Sequence, residues 1–261
     1  MEESRKRELL TSLTEELLTE RGMEAQSTGD SAALWKLFRA LVNTRPPAPI
    51  AQTWLKAQDE LLSGLIAEAS ITSLEAASLS LKDPRMRLWR GDITTMAVDA
   101  IVNAANSRLL GCWSPGHHCI DNAIHTFAGV QLRAECARLM DEQGHAEPTG
   151  SAKITGAYNL PSTHVIHTVG PIANGRPNDE HRAQLASCYR SCLDLAAKNS
   201  LHSIAFCAIS TGVFAFPKEE AARIALRATR EWLDSHEKNM TVVFNVFSEE
   251  DYSIYSRLLG I

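Results

Sequence analysis

The sequence predicts an α/β sandwich preceded by a small helical segment. Apolar residues recur at helical spacing through the first eighty residues, and short β-branched runs alternate with helical stretches from Met86 onward. The chain has 261 residues, 44% hydrophobic and 22% charged, which is ordinary globular usage and enough length for a sizeable core.

The elements follow in order. From Arg5 to Glu20, Leu9, Leu10, Leu13, Leu17 and Leu18 fall on one helical stripe, and from Ala32 to Val42 Leu34, Leu37, Phe38 and Leu41 do the same. Pro46, Pro47 and Pro49 interrupt the pattern, and a third helix runs from Ile50 to Ala67 through Trp54, Leu55, Leu61, Leu62 and Leu65. These stripes need a surface to cover, so a packed bundle or cap is expected rather than a free tail. Strands are expected at Met86 to Trp89, Ala100 to Asn103, Ala152 to Tyr158, His164 to Thr168, Ser203 to Ala208 and Thr241 to Asn245. Helices are expected near Ile120 to Met140, His181 to Asn199, Lys218 to Ser235 and Glu249 to Leu259, with Pro217 at a helix start, where proline is tolerated.

Charge and cysteine usage narrow the function. Lys plus Arg number 26 against 31 Asp plus Glu, a net −5, so the basic excess of a general nucleic-acid binder is missing. The N-terminal MEESRKRELLTSLTEELL carries mixed charge without an apolar signal core, and no stretch reaches the apolar length of a membrane span. Cys112, Cys119, Cys136, Cys188, Cys192 and Cys207 are too dispersed for a disulfide-stapled scaffold. A cytoplasmic protein with free or metal-binding thiols, and no membrane or nucleic-acid partner, is expected.

Four segments concentrate the chemistry. Gly91-Asp92-Ile93-Thr94 follows the first long strand, and there Asp92 either caps a turn or meets a ligand. Asn103 and Asn106 stand at the end of a buried-looking strand, the place where open α/β sheets bind ligands. In Gly111-Cys112-Trp113-Ser114-Pro115-Gly116-His117-His118-Cys119, thiols and imidazoles crowd one loop and suit Zn²⁺. Three protein ligands would leave an open position, whereas four, using both histidines, would make a structural site. Asp121 follows, either complementing a helix dipole or handling protons. Finally Ser210-Thr211-Gly212-Val213-Phe214-Ala215-Phe216-Pro217 leads into a helix, as a plain connection or as a set of backbone N–H groups for a phosphate.

Together GDIT at Gly91 to Thr94, VDAIVNAAN at Val98 to Asn106, CIDNAIH at Cys119 to His125 and STGVFAFP at Ser210 to Pro217 resemble the macrodomain family of ADP-ribose-binding modules, over roughly Met86 to Tyr255. The GCWSPGHHCIDNAIH segment departs from the glycine-rich loop of common macrodomains. It is similar to the zinc-containing subclass of microbial ADP-ribosyl hydrolases, which also carries an N-terminal helical extension.

The resemblance implies a three-layer α/β/α macrodomain with a mixed central sheet over residues 81–261, after a helical extension over residues 1–80. It implies Cys112, His117 and Cys119 as zinc ligands with His118 spare, Asp92 and Ile93 at the adenosine end, and Ser210, Thr211, Gly212, Val213, Phe214 and Phe216 around the diphosphate. Asn106 would hold the distal ribose, and Asp121 would act as base or water-orienting group. Ala215 stands where many macrodomains have glycine. The activity so implied is zinc-dependent removal of mono-ADP-ribose from modified protein side chains. A non-catalytic ADP-ribose reader and a deacetylase of O-acetyl-ADP-ribose are the alternatives.

Overall fold

The computed structural model describes residues 1–24, 29–236 and 239–261. Three helices come first: α1 (Glu3–Thr19), α2 (Ser31–Asn43) and α3 (Gln52–Glu68). Their leucine stripes meet in a core of their own around Phe38, Trp54, Leu61 and Leu62. The buried Arg45 guanidinium closes the bundle, donating to Glu20 at 2.6 and 2.8 Å and to the carbonyls of Ala48 and Pro49.

The remainder runs β1 (Thr72–Ser73), β2 (Ser78–Leu79), β3 (Met86–Arg90), β4 (Met96–Ala97), β5 (Ala100–Ala105), α4 (Ile120–Ala128), α5 (Val130–Gln143), β6 (Ala152–Gly156), β7 (His164–Val169), α6 (Asp179–Lys198), β8 (Ser203–Phe206), α7 (Lys218–Ser235), β9 (Thr241–Val246) and α8 (Glu249–Leu259). A seven-stranded sheet has the order β2-β3-β9-β8-β5-β7-β6. Its five inner strands are parallel, and the edge strands β2 and β6 are antiparallel to their neighbours. Strands as apolar as Ala100–Ala105 suit a sheet buried on both faces. Helices α4 and α5 pack together beside β5 and β6, while α6, α7 and α8 form a second connected row. This mixed sheet with flanking helices is the layering that the resemblance implies. Among the described residues no helix is long and apolar enough to cross a membrane.

Two differences from the sequence reading have structural causes. The single helix expected from Ile120 to Met140 is two, broken at Gly129, because Gln58 of α3 reaches across and its Oε1 accepts the Val130 N–H at 2.9 Å, capping a new helix. The edge strand β2 precedes residue 81, and at two residues it is too short to show any alternation.

Candidate functional site

Because β3, β9, β8, β5 and β7 are parallel, their carboxyl ends share one edge of the sheet. That edge gathers Asp92 after β3, Phe247 after β9, the 207–216 loop after β8 and Asn106 after β5. Such an edge is where doubly wound sheets accept ligands.

Asp121, in the first turn of α4, is the electrostatic centre. It is 6% exposed and accepts from Asn103 Nδ2 at 2.8 Å on Oδ1 and from Asn106 Nδ2 at 3.3 Å on Oδ2. Burial pushes its carboxyl up to about 6, against the opposing pull of these amides and of the Arg133 guanidinium. Asn106 is itself held, donating to Gly111 O at 3.0 Å and accepting the Arg108 N–H on Oδ1. Asn103 is fully buried and set by His167, whose Nδ1 lies 3.1 Å from the same amide nitrogen, while His167 Nε2 lies 3.0 Å from Thr155 Oγ1.

Cys112, His117 and Cys119 offer ligand atoms that all lie within 4.8 Å of one another, with Cys112 Sγ 3.6 Å from His117 Nδ1. His118 is exposed and outside the trio. Burial, then the neighbouring Cys112 thiol, push Cys119 up to about 12, so this thiol keeps its proton until a cation compensates the charge. Two soft sulfur donors and one imidazole fit zinc. A second trio, His125, Cys136 and His167, is wholly buried. Both His167 nitrogens already face hydrogen-bonding partners there, which leaves packing as its role.

At the opposite end Asp92 is exposed, and its Oδ1 accepts from Thr94 N at 2.9 Å and Thr94 Oγ1 at 2.7 Å, leaving Oδ2 without a hydrogen-bond partner among the described residues. A cavity of about 460 Å³ beside it is walled by Thr94, Phe127, and Lys6 and Trp35 of the helical bundle. Burial bears on two of the expected ligand residues. Ile93 is 1% exposed, and Phe216 is 2% exposed with its N–H donating to Ser210 O.

The loop itself is bent by Ser210 at φ 66° and Ala215 at φ 50°. Phe214 O and Ala215 O are tied to the 173–175 backbone. The N–H groups of Gly212, Val213 and Phe214 donate to no partner among the described residues, and they form a row suited to an anion.

Sequence reasoning missed Phe247, 82% exposed just past β9, where Asn245 Nδ2 and the Val246 carbonyl tie its strand to Gly91. The rule that singled out Asn106, a strand's carboxyl end, also reaches it. His167, and Arg39 and Asn43 on α2, were missed as well, because their partners lie tens of residues away in the chain.

Residues 102–225 match the Macro domain family. A protein-ADP-ribose hydrolase of Treponema medium is 53% identical over 86% of this chain and 87% of its own length, and one from Staphylococcus aureus is 49% identical over 85% and 83%. Among solved structures, the Trypanosoma brucei macrodomain in complex with ADP-ribose superposes with a TM-score of 0.66 at 33% identity, covering 85% of this chain and 95% of that one. The Oceanobacillus iheyensis macrodomain with ADP gives 0.62 at 42% identity, covering 67% and 90%. With this much sequence and architecture shared, the chain belongs to the macrodomain family.

Proposed function

We propose that the protein is a hydrolase that removes mono-ADP-ribose from modified protein side chains and depends on zinc held by Cys112, His117 and Cys119. The observation that carries this reading is Asp121, a buried carboxyl placed between two fixed amides and two residues beyond a cysteine of the soft-donor trio. A module that only binds has no need of such a pair. The names of the Treponema and Staphylococcus relatives support it.

The chain's residues divide the work along the strand ends. Asp92 Oδ2, the Ile93 backbone and the Phe247 ring receive the adenosine end, the ring offering a flat face to a base. The Gly212 to Phe214 N–H groups and the Ser210–Thr211 turn hold the diphosphate, so binding energy remote from the reacting centre fixes the distal ribose. Asn106 meets that ribose, and the Asp121 carboxylate, whose Oδ2 accepts from Asn106, orients the attacking water and takes its proton. Water adds to the anomeric carbon as its bond to the side-chain oxygen breaks, the proton taken by Asp121 passes to that leaving oxygen, and free ADP-ribose and unmodified protein result. When bound, zinc supplies a Lewis acid beside that ribose. The six free cysteines suit a reducing compartment.

The test is incubation with mono-ADP-ribosylated protein, with a chelator and with zinc restored. Release of ADP-ribose that stops with the chelator and returns with zinc is expected. Tight ADP-ribose binding without release would make the protein a reader, and turnover of O-acetyl-ADP-ribose alone would make it a deacetylase.

A further inference from the structure

We propose that the helical bundle belongs to the metal site: Arg39 and Asn43 of α2 are positioning residues that set the Cys112–Cys119 loop and thereby its affinity for zinc. The inference rests on the zinc reading above and goes beyond it, since it assigns part of the site to a segment some seventy residues away.

The loop between the two cysteines has little secondary structure of its own. What fixes it is a set of hydrogen bonds to three of its backbone groups. Asn43 Oδ1 accepts the Gly116 N–H at 3.0 Å, Arg39 Nη2 donates to His117 O at 3.1 Å, and Asn122 Nδ2 donates to Ser114 O at 3.1 Å. Asn122 is locked by the same two residues of α2. Its Oδ1 accepts from Arg39 Nε at 3.1 Å and Nη2 at 2.8 Å, and its Nδ2 donates to Asn43 Oδ1 at 2.8 Å. Asn43 Nδ2 donates to Thr126 Oγ1 at 2.9 Å, and that hydroxyl donates to Asn122 O at 2.7 Å.

Every polar atom of the Asn43 and Asn122 side chains is therefore satisfied, and Asn43 is 1% exposed, so the network has one low-energy arrangement. The Asn122 N–H also points at Cys119 Sγ, 3.4 Å away, which links the network to a ligand atom itself. An ion gathers its ligands at a cost in loop ordering, and a loop already held at Ser114, Gly116 and His117 has met that cost beforehand. Partners behind metal ligands commonly change affinity by about 10–100-fold when removed.

A docking contact for the bundle alone would look similar in the structure, and Gln58 separates the two ideas. It lies in the same bundle-to-sheet interface, fully buried, capping α5 at Val130, and its hydrogen bonds go to α5 and to its own helix rather than to the metal loop.

The experiment uses the full chain, stripped of metal, with zinc affinity read by competition with a chromophoric chelator and melting temperature read alongside. Asn43→Ala and Arg39→Met are expected to weaken zinc binding tenfold or more. Asn43→Asp should recover most of the loss, because its carboxylate still accepts from Gly116 and Asn122, and Gln58→Ala should lower the melting temperature with zinc affinity kept within about twofold. Arg39 is only half-buried, so Arg39→Met gives a folded variant even where Asn43→Ala does not. Wild-type affinity in both Arg39→Met and Asn43→Ala, or an equal loss in Gln58→Ala, would overturn the proposal. A wild-type protein that binds no zinc overturns the metal reading beneath it, and that result is seen before any variant is compared.

Discussion

Gly111 and Gly116 sit in the same loop, at φ 75° and 64°, and only their surroundings differ. A Cβ on Gly116 would meet nothing within 4 Å, whereas one on Gly111 would stand 2.8 Å from Cγ, 3.0 Å from Cδ2 and 3.1 Å from Nδ1 of His125. The left-handed conformation costs any L-residue about 1–2 kcal/mol, so Gly116→Ala should lose about that much. Gly111→Ala adds a collision with a ring that is 5% exposed and has no room to swing, an overpacking cost of about 1–3 kcal/mol more. Relief comes only by lifting the loop, and Gly111 O is the acceptor that orients Asn106, next to Cys112. A displacement approaching 1 Å at such a group costs about a hundredfold in turnover. Urea unfolding of both variants, beside hydrolysis of an ADP-ribosylated protein, measures the contrast. Equal stability losses, with Gly111→Ala turning over as fast as Gly116→Ala, would refute the argument that His125 serves as the floor of the loop.

Three further predictions rest on separate observations. Elemental analysis of dialysed protein should find about one zinc per chain, lost in Cys119→Ala and kept in His118→Ala; equal loss in both would break the three-ligand assignment. Asp92→Ala should weaken ADP-ribose binding by calorimetry, while Asn106→Ala and Asp121→Ala should keep binding and lower turnover about a hundredfold or more; a normal rate in Asp121→Ala would reduce that carboxylate to a helix-start charge. Burial holds His167 down at about 3, below its ordinary 6.5, so the unfolded chain binds one more proton between those values and stability drains away as pH falls through that window. His167→Gln should therefore flatten the acid limb of the urea stability profile by about 1.4 kcal/mol per pH unit, and parallel limbs for the two proteins would contradict the buried neutral imidazole.

The parts legible in the sequence were those written in local pattern. Lys218–Ser235 and Glu249–Leu259 form helices with the expected bounds because their apolar stripes and their starting residues Pro217 and Ser248 are contiguous. Asp92, Asn106 and Asp121 stood out as candidates because each follows a strand or opens a helix, where polar side chains have little packing use. The break at Gly129 was not legible, since its cause is Gln58, seventy-two residues upstream in another helix. The same holds for Arg39 and Asn43, which read locally as ordinary positions on a helix whose apolar stripe faces elsewhere. Phe216 and Ile93 were named with their segments, and motif resemblance does not say which side chains of a segment turn inward, as these two do.

The two antiparallel edges bear on how this protein meets copies of itself. An open strand is a template on which a neighbouring chain can extend the sheet. Here β2 offers two residues, and just beyond it Lys82 Nζ donates to the Leu258 carbonyl at the end of α8, pinning the chain where another strand would have to align. On the far side the Gly156 N–H of β6 is taken by Glu135 Oε2 at 3.1 Å, and the same oxygen accepts the Tyr158 hydroxyl at 2.8 Å. Each border thus ends in a side-chain contact, which shortens the run of backbone that a strand from solution could extend.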